Sequence, residues 1–325
     1  MDVQINLNSN SIEELNKLKN DSEQRLEEVT VNEKGHNYVG QYKDGKKNGF
    51  GTYTWPNGDI YEGEWKDDKK NGKGTMKWAE GSVYQGDYVD DKKQGFGILT
   101  YKDGSKYEGD WFQSMRHGDG KKSHKNGSYY KGEYKNDQKS GYGEFYWENG
   151  DFYKGQWNDN VKNGKGRMIW KSGTQFEGLY HKDHINGFGV LQYEDGSRYE
   201  GNFKDSKKHG KGKKWYKNGG IYEGTFLNDK KHGYGEYQYP NKKIYQGEWK
   251  QNLKEGKGKI IFSDGSYFDG NFLNDKKNGQ GIMVWNDGER LQCEWKNDLK
   301  NGKGTLYDKN NQQQNITYLN NHKVQ

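Results

Sequence analysis

The side chains of this chain that could do chemistry recur on one fixed beat, and the beat argues against most of that chemistry. Histidine is the usual general base and metal ligand, and His117, His209 and His232 each stand just before a Gly-x-Gly. Asn48, Asn71 and Asn163 fill the same slot elsewhere, so the imidazoles read as turn residues of a repeat, not as catalytic groups. His181 and His184 flank Asp183, but no further Cys or His completes a tetrahedral metal set in sequence. The single cysteine, Cys293, forms no internal disulfide framework and suits a reducing compartment. The Gly-x-Gly pairs lack the third glycine and the following helix of a dinucleotide fingerprint, and no Gly-Lys-Ser/Thr marks a phosphate loop. The expectation is a protein without enzymatic activity, cofactor or metal.

The stretch that positions these residues is Tyr61 to Trp78, YEGEWKDDKKNGKGTMKW, and it recurs along nearly all of the 325 residues. An aromatic-x-Gly stands at Tyr38, Tyr61, Tyr84 and onward to Phe268 in steps of 23 residues, and Gly-x-Gly keeps the same step from Gly49 to Gly302. A short fixed period is the mark of a repeat architecture whose units contact only their neighbours. Hydrophobic content of 28% against 31% charged residues would suit disorder, but 26 Tyr and 11 Trp supply rings that bury area while keeping a polar tip wet. The net charge of +6, from 53 basic and 47 acidic residues, is a mild excess that argues against nucleic acid as a partner. No basic stretch followed by an apolar one opens the chain, and no window is apolar enough to span a bilayer.

Period-2 alternation puts Tyr61, Gly63 and Trp65 on one face of a strand, with Glu62, Glu64 and Lys66 on the other. After a polar turn, Asp67 to Asn71, the next strand places Gly72, Gly74, Met76 and Trp78 on one face. Asn57-Gly58, Asp103-Gly104 and their equivalents then mark a hairpin turn into the next tyrosine. The fold expected is all-β: an elongated single-layer antiparallel meander of about twelve 23-residue hairpins, twisted, and on the order of 115 Å long. Residues 1–30 form an N-terminal extension, with a helix expected over about Ser11–Glu28 from its capping-box spacing and loose apolar stripe. Residues 31–304 form the array, and 305–325 a degenerate C-terminal cap.

Tyr61-Glu-Gly63-Glu-Trp65 followed by Asn71-Gly72-Lys73-Gly74 resembles the MORN repeat (membrane occupation and recognition nexus), and the resemblance covers about residues 38–304. Some units depart from it: His124 replaces the strand-end aromatic, Lys242 the turn glycine, and Leu291-Gln-Cys293 stands where Tyr-x-Gly is expected. The resemblance implies a non-enzymatic scaffold for protein–protein interaction, and chains built almost wholly of such units often belong to cytoskeletal assemblies, notably radial spoke heads of ciliary axonemes. It thus implies a cytoplasmic protein of the cytoskeleton, with other proteins of that complex, or a second copy of the chain, as partners. The alternative it implies is a peripheral tether to anionic lipid or phosphoinositide.

Two sets of aromatics are candidates for a protein partner. Trp55, Trp78, Trp147, Trp170 and Tyr193 belong to the ladder on the main aromatic face. Phe50, Phe96, Tyr142, Phe188 and Tyr234, the middle residues of alternate Gly-x-Gly motifs, point the other way by parity and recur every 46 residues. Their competing role is to cover gaps between hairpins. The lipid alternative rests on lysine pairs that a meander would set along one rim, including Lys69-Lys70, Lys92-Lys93 and Lys207-Lys208. Neighbouring aspartates such as Asp67-Asp68 and Asp90-Asp91 offset much of that field.

Overall fold

The computed structural model describes residues 26–324, and among these every regular element is a β-strand, 27 in all. The chain divides into two compact units, the first running to Glu148 and the second from Asn149 onward, with Asn158–Asn160 belonging to the first. In the first unit, successive strands pair antiparallel from Glu27–Glu33 to Gln138–Tyr146. In the second, they do so from Val161–Ile169 to His322–Lys323.

The helix expected over Ser11–Glu28 falls mostly outside the described residues, and its last two positions are corrected. Glu27 and Glu28 begin strand β1 (Glu27–Glu33), which pairs with β2 (His36–Lys43) across the tight turn Lys34-Gly35. The run Val29-Thr30-Val31 is β-branched and favours the extended backbone.

One repeat shows how the sequence builds the rest. After β3 (Lys46–Thr54) come β4 (Ile60–Lys66) and β5 (Lys69–Lys77). The last two are joined by Asp67-Asp68 alone, with φ of 47° and 67°. Two successive left-handed residues make a type I′ turn, whose twist matches the strands it joins. The turn is thus two residues, not the five from Asp67 to Asn71 that polarity suggests. The Asn57-Gly58 signal does mark a hairpin, of the three-residue class. The Trp55 N–H donates to the Asp59 carbonyl at 2.9 Å, the Gly58 N–H donates to the Trp55 carbonyl at 2.9 Å, and Gly58 is left-handed at φ 89°.

A two-residue turn sets the register. Trp65 stands opposite Lys70, Gly63 opposite Gly74 and Tyr61 opposite Met76. Glu64 therefore faces three residues, Asn71 to Lys73, and the partner strand bulges. Gly72 turns the bulge with φ 86°, and the Glu64 carboxylate accepts the Lys73 N–H at 2.9 Å. The two glycines of Gly-x-Gly thus answer different needs. The first supplies a left-handed backbone, while the second, Gly74, lies under a ring: a Cβ there would sit 2.3 Å from the Tyr61 hydroxyl oxygen. That hydroxyl donates to the Glu64 carbonyl at 3.0 Å, which holds the ring down over the glycines.

The core of each unit is a chain of such rings. Tyr61 is fully buried and meets Trp65 and Tyr88 edge to face; Tyr84 meets Tyr88 and Trp111. In the first unit the chain of rings runs unbroken from Tyr42 to Tyr130, with centroids 5.1 to 5.8 Å apart. In the second it runs from Trp157 to Trp295, at 5.0 to 5.5 Å. Each such pair contributes about 0.5–1.5 kcal/mol beyond the area it buries. Where the ring is lost, at Leu291, the space it leaves admits a side chain in the glycine slot, and Cys293 fills it, 1% exposed.

Candidate functional site: the aromatic face and its reverse

The register places a feature that the sequence reading missed. The second residue of each lysine pair does not lie on a rim; it stands on the aromatic face, opposite the ring that ends the preceding strand. Lys70 has its ammonium 5.2 to 5.7 Å from the ring centroids of Trp55, Tyr61 and Tyr88. Lys93 lies over Trp78, Tyr84 and Trp111 at 4.5 to 5.2 Å, and Lys208 over Tyr193 and Tyr199 at 5.8 Å. The first residues of the same pairs, Lys69, Lys92 and Lys207, are exposed. The six lysines named as lipid candidates thus divide between the two environments.

Each aromatic-face cation is fixed by the following repeat. The second turn residue accepts the backbone N–H of the lysine 21 residues earlier: Asp68 from Lys47 at 2.9 Å, Asp91 from Lys70 at 3.0 Å, Asp229 from Lys208 at 3.0 Å. Asp229 also pairs with the Lys208 ammonium at 3.0 Å. Where the turn carries no acid, the backbone bond is kept but the ammonium loses its counter-charge. Lys93 faces Ser114 and Lys231 faces Asn252, and burial, the larger cause, pushes both ammonium groups down to about 8. Tight register would have revealed this row: once Asp67-Asp68 is read as the whole turn, Lys70 must oppose Trp65.

The cation row has one apolar member, Ile185. There the second unit forms a groove of about 430 Å³ lined by Trp170, Tyr180, Ile185, Leu191 and Phe203 among others. The terminal rings named as partner candidates are half-buried along this face. Lys70 covers Trp55, Lys93 covers Trp78, and Lys208 and Lys214 cover Tyr193, while among the described residues no cation stands over Trp170. Trp147 lies beside Phe145, centroids 4.4 Å apart.

The reverse face carries the alternate Gly-x-Gly aromatics. Phe50, Phe96 and Phe188 are each 53% exposed, Tyr142 49% and Tyr234 67%. In the first unit Phe96 and Tyr142 wall a groove of about 520 Å³ whose floor is the glycine backbone at Gly109, Gly120, Gly132 and Gly143. Glu108, Asp119, Lys121 and Lys131 supply mixed charge around it.

The histidines take structural positions. His117, His209 and His232 lie within strands, at the bulge rather than in a turn, and the Nδ1 atoms of His117 and His209 are buried without a hydrogen-bond partner. His181 and His184 face each other across the two-residue turn Lys182-Asp183, whose aspartate accepts the Lys162 N–H at 2.9 Å. Among the described residues no three His, Cys, Asp or Glu side chains converge to hold a metal, and no helix is long and apolar enough to cross a membrane. Burial pushes the Cys293 thiol up to about 11.

Comparison with known proteins agrees with the repeat. The family model described as the MORN repeat matches twelve times in succession, from residues 38–60 through 294–313. No catalytic family is indicated by these matches. A search of curated proteins gave no match. Among solved structures, the chain is similar to the TCP10 domain of Danio rerio CPAP in complex with a peptide of Danio rerio STIL. Identity there is 9% over 82% of this chain and 98% of that one, with a TM-score of 0.30. It is also similar to the TCP10c domain of Drosophila melanogaster Sas-4, at 17% identity over 48% of this chain and 93% of that one, with a TM-score of 0.31. TM-scores this low give these likenesses no functional weight.

Proposed function

Because the chain belongs to the MORN-repeat family, we propose that it is a non-enzymatic scaffold of a cytoskeletal assembly, of the radial-spoke-head kind in ciliary axonemes. On this reading the aromatic face seats extended or helical segments of other proteins. The observation that carries it is the groove beside Ile185, where the row replaces its cation by an apolar side chain and Trp170, Ile185 and Leu191 can meet an apolar anchor, with Lys162 and Asp183 also in the lining. Aromatic pockets of this kind supply most of the energy of a protein interface, and stacked repeats supply its length. A lipid tether has less support, because Lys70, Lys93 and Lys208 are recessed among rings on the broad face of the sheet, away from the hairpin tips a flat bilayer would meet, and the exposed Lys69 and Lys92 stand beside aspartate turns.

The test is the fate of a tagged chain in its own cell under mild detergent, beside an Ile185→Lys variant. That substitution restores the basic residue found at Lys162 and Lys208, so folding is kept. The wild-type chain should stay on the detergent-insoluble residue and leave only at high salt, and the variant should be retained less. Passage of the wild type into the detergent phase, or a diffuse soluble pool, would overturn the scaffold.

A further inference from the structure

Strict repetition supplies an internal control: a residue that departs from its own row is not required by the fold. In the first unit three basic side chains depart from their rows in one repeat, on one face, and a fourth departure, in the preceding turn, removes an acid. The slot held by Tyr53, Met76, Leu99 and Phe145 becomes Lys122, between Tyr107 and Tyr130 in the ladder. The strand-end aromatic held by Trp55, Trp78 and Tyr101 becomes His124, which keeps the same backbone bond, its N–H donating to the Ser128 carbonyl at 2.8 Å. The row of lysines becomes Arg116. The turn that should bring an acid against Lys93 is Gln113-Ser114 instead.

We infer that this part of the aromatic face, Arg116 to His124, seats an acidic stretch of a protein partner, with carboxylates against Lys122, Arg116 and the flanking Lys93. The inference rests on the scaffold reading above and names the chemistry of one of its partners. Lys122 is half-buried, its ammonium 3.3 Å from the Tyr101 ring centroid and 3.3 Å from the Ser105 hydroxyl. Arg116 spends N–H groups on the side chain and backbone of Asp137, at 2.9 and 2.8 Å, and a guanidinium has five. Among the described residues, the charged groups of opposite sign that act on Lys93, Arg116, Lys122 and His124 are Asp103 and Asp137. Burial first, then Arg116, pushes the Lys122 ammonium down to about 8, and a carboxylate brought to it would favour the charged form again.

Recession among rings on the broad face of the sheet favours a slender chain over a flat bilayer, which would meet the exposed hairpin tips first. Lys93 and Arg116 stand on alternate strands, about 10 Å apart. A peptide in the polyproline II conformation rises about 3.1 Å per residue with three residues per turn, so every third side chain returns to one face after about that distance, and the matching partner carries an acidic residue at every third position.

The experiment measures fluorescence anisotropy of a labelled twelve-residue peptide with Glu at every third position and Ser or Gly between, against the whole chain. The control peptide has the same composition with its glutamates together at one end. Lys122→Met restores the residue of the Met76 slot, and Lys121→Met makes the same charge change on the reverse face. The spaced peptide should bind tighter than the clustered one, Lys122→Met should weaken it by about tenfold, the loss of one charge-assisted bond, and Lys121→Met should leave it within twofold. Equal loss in both variants, or no preference for the spaced peptide, would overturn the inference by showing diffuse charge attraction. Binding of phosphatidylserine vesicles that Lys122→Met abolishes, with no peptide binding, would assign the site to a lipid headgroup and equally overturn it. If the peptide result is negative while Ile185→Lys still lowers retention in the cell, the acidic partner falls and the scaffold stands.

Discussion

Replacing Gly74 by alanine tests whether the buried tyrosine ring dictates the second glycine of every Gly-x-Gly. Gly74 has no left-handed backbone, so the only objection to a Cβ is space: it would lie 2.3 Å from the Tyr61 hydroxyl oxygen and 2.5 Å from two ring carbons. The ring has little room to yield, being fully buried, tied to the Glu64 carbonyl and edge-on to Trp65 and Tyr88. Overpacking of that kind costs about 1–3 kcal/mol, and loss of the two ring contacts would push it to the upper end. Gly104→Ala is the reference for backbone strain alone: φ is 85° and nothing lies within 4 Å, so about 1–2 kcal/mol is expected.

The decisive comparison is the same alanine in a Tyr61→Leu background. Tyr61→Leu by itself should cost about 2–4 kcal/mol through lost packing. Gly74→Ala should then add less than about 1 kcal/mol, a coupling of roughly 2 kcal/mol. The chain contains a natural parallel, since Leu291 is accompanied by Cys293 in a glycine slot. Repeat arrays need not unfold in one step, so the readout is amide hydrogen exchange of peptides covering Ile60–Lys77, which reports local opening. If Gly74→Ala costs the same with and without the Tyr61 ring, the ring is not the reason for the glycine.

Lys182 holds the first turn position at φ 47° with its side chain exposed. Lys182→Asn should therefore raise the melting temperature, by an increment worth about 0.5–1 kcal/mol, and a lower value would contradict the I′ assignment. Stability should rise with pH above about 8, because Lys93 and Lys231 shed their protons near there in the fold but near 10.5 when unfolded, so the unfolded chain binds more protons in that window. Above pH 10 it should fall, since burial raises the pKa of Tyr61 and Tyr222 and the unfolded chain ionises first. A urea midpoint that declines steadily from pH 7 would contradict the rise, and one that keeps climbing above about pH 10 would contradict the fall. Cys293, 1% exposed, should react with a thiol reagent only as its repeat opens, so its labelling rate should follow urea concentration; rapid labelling of the native chain would refute its burial. Phe96→Ala should change stability by less than about 0.5 kcal/mol if the half-exposed ring is not a gap filler, and thermal melting decides.

The meander, the hairpins and the aromatic ladder were legible because strict periodicity repeats each signal many times over. Turn length was not. Asp67-Asp68 lacks the glycine that usually announces a type I′ turn, and the lysines after it look like more of the same polar loop. That single misreading hid the bulge at Gly72 and moved Lys70 off the aromatic face. The extra apolar character at Ile185 was equally hidden, since its row is recognisable only after the register is known.

Departures from a repeat differ in weight, and Lys214 shows how to weigh them. It occupies in the second unit the slot that Lys122 occupies in the first, with its ammonium 4.6 Å from the Tyr216 centroid and 5.6 Å from Tyr193. There the strand-end aromatic, Tyr216, and the row cation, Lys208, are both kept, and Asp229 holds that cation. A lone lysine in this slot is thus compatible with the ordinary packing of the ladder, and Lys122 by itself would call for no partner. Coincidence separates the two sites: at Arg116 to His124 the aromatic becomes a histidine, the lysine an arginine, and the preceding turn gives up the acid that would face Lys93. Lys214→Met should accordingly leave binding of the spaced acidic peptide unchanged, and a loss matching that of Lys122→Met would mean that any lysine among these rings suffices.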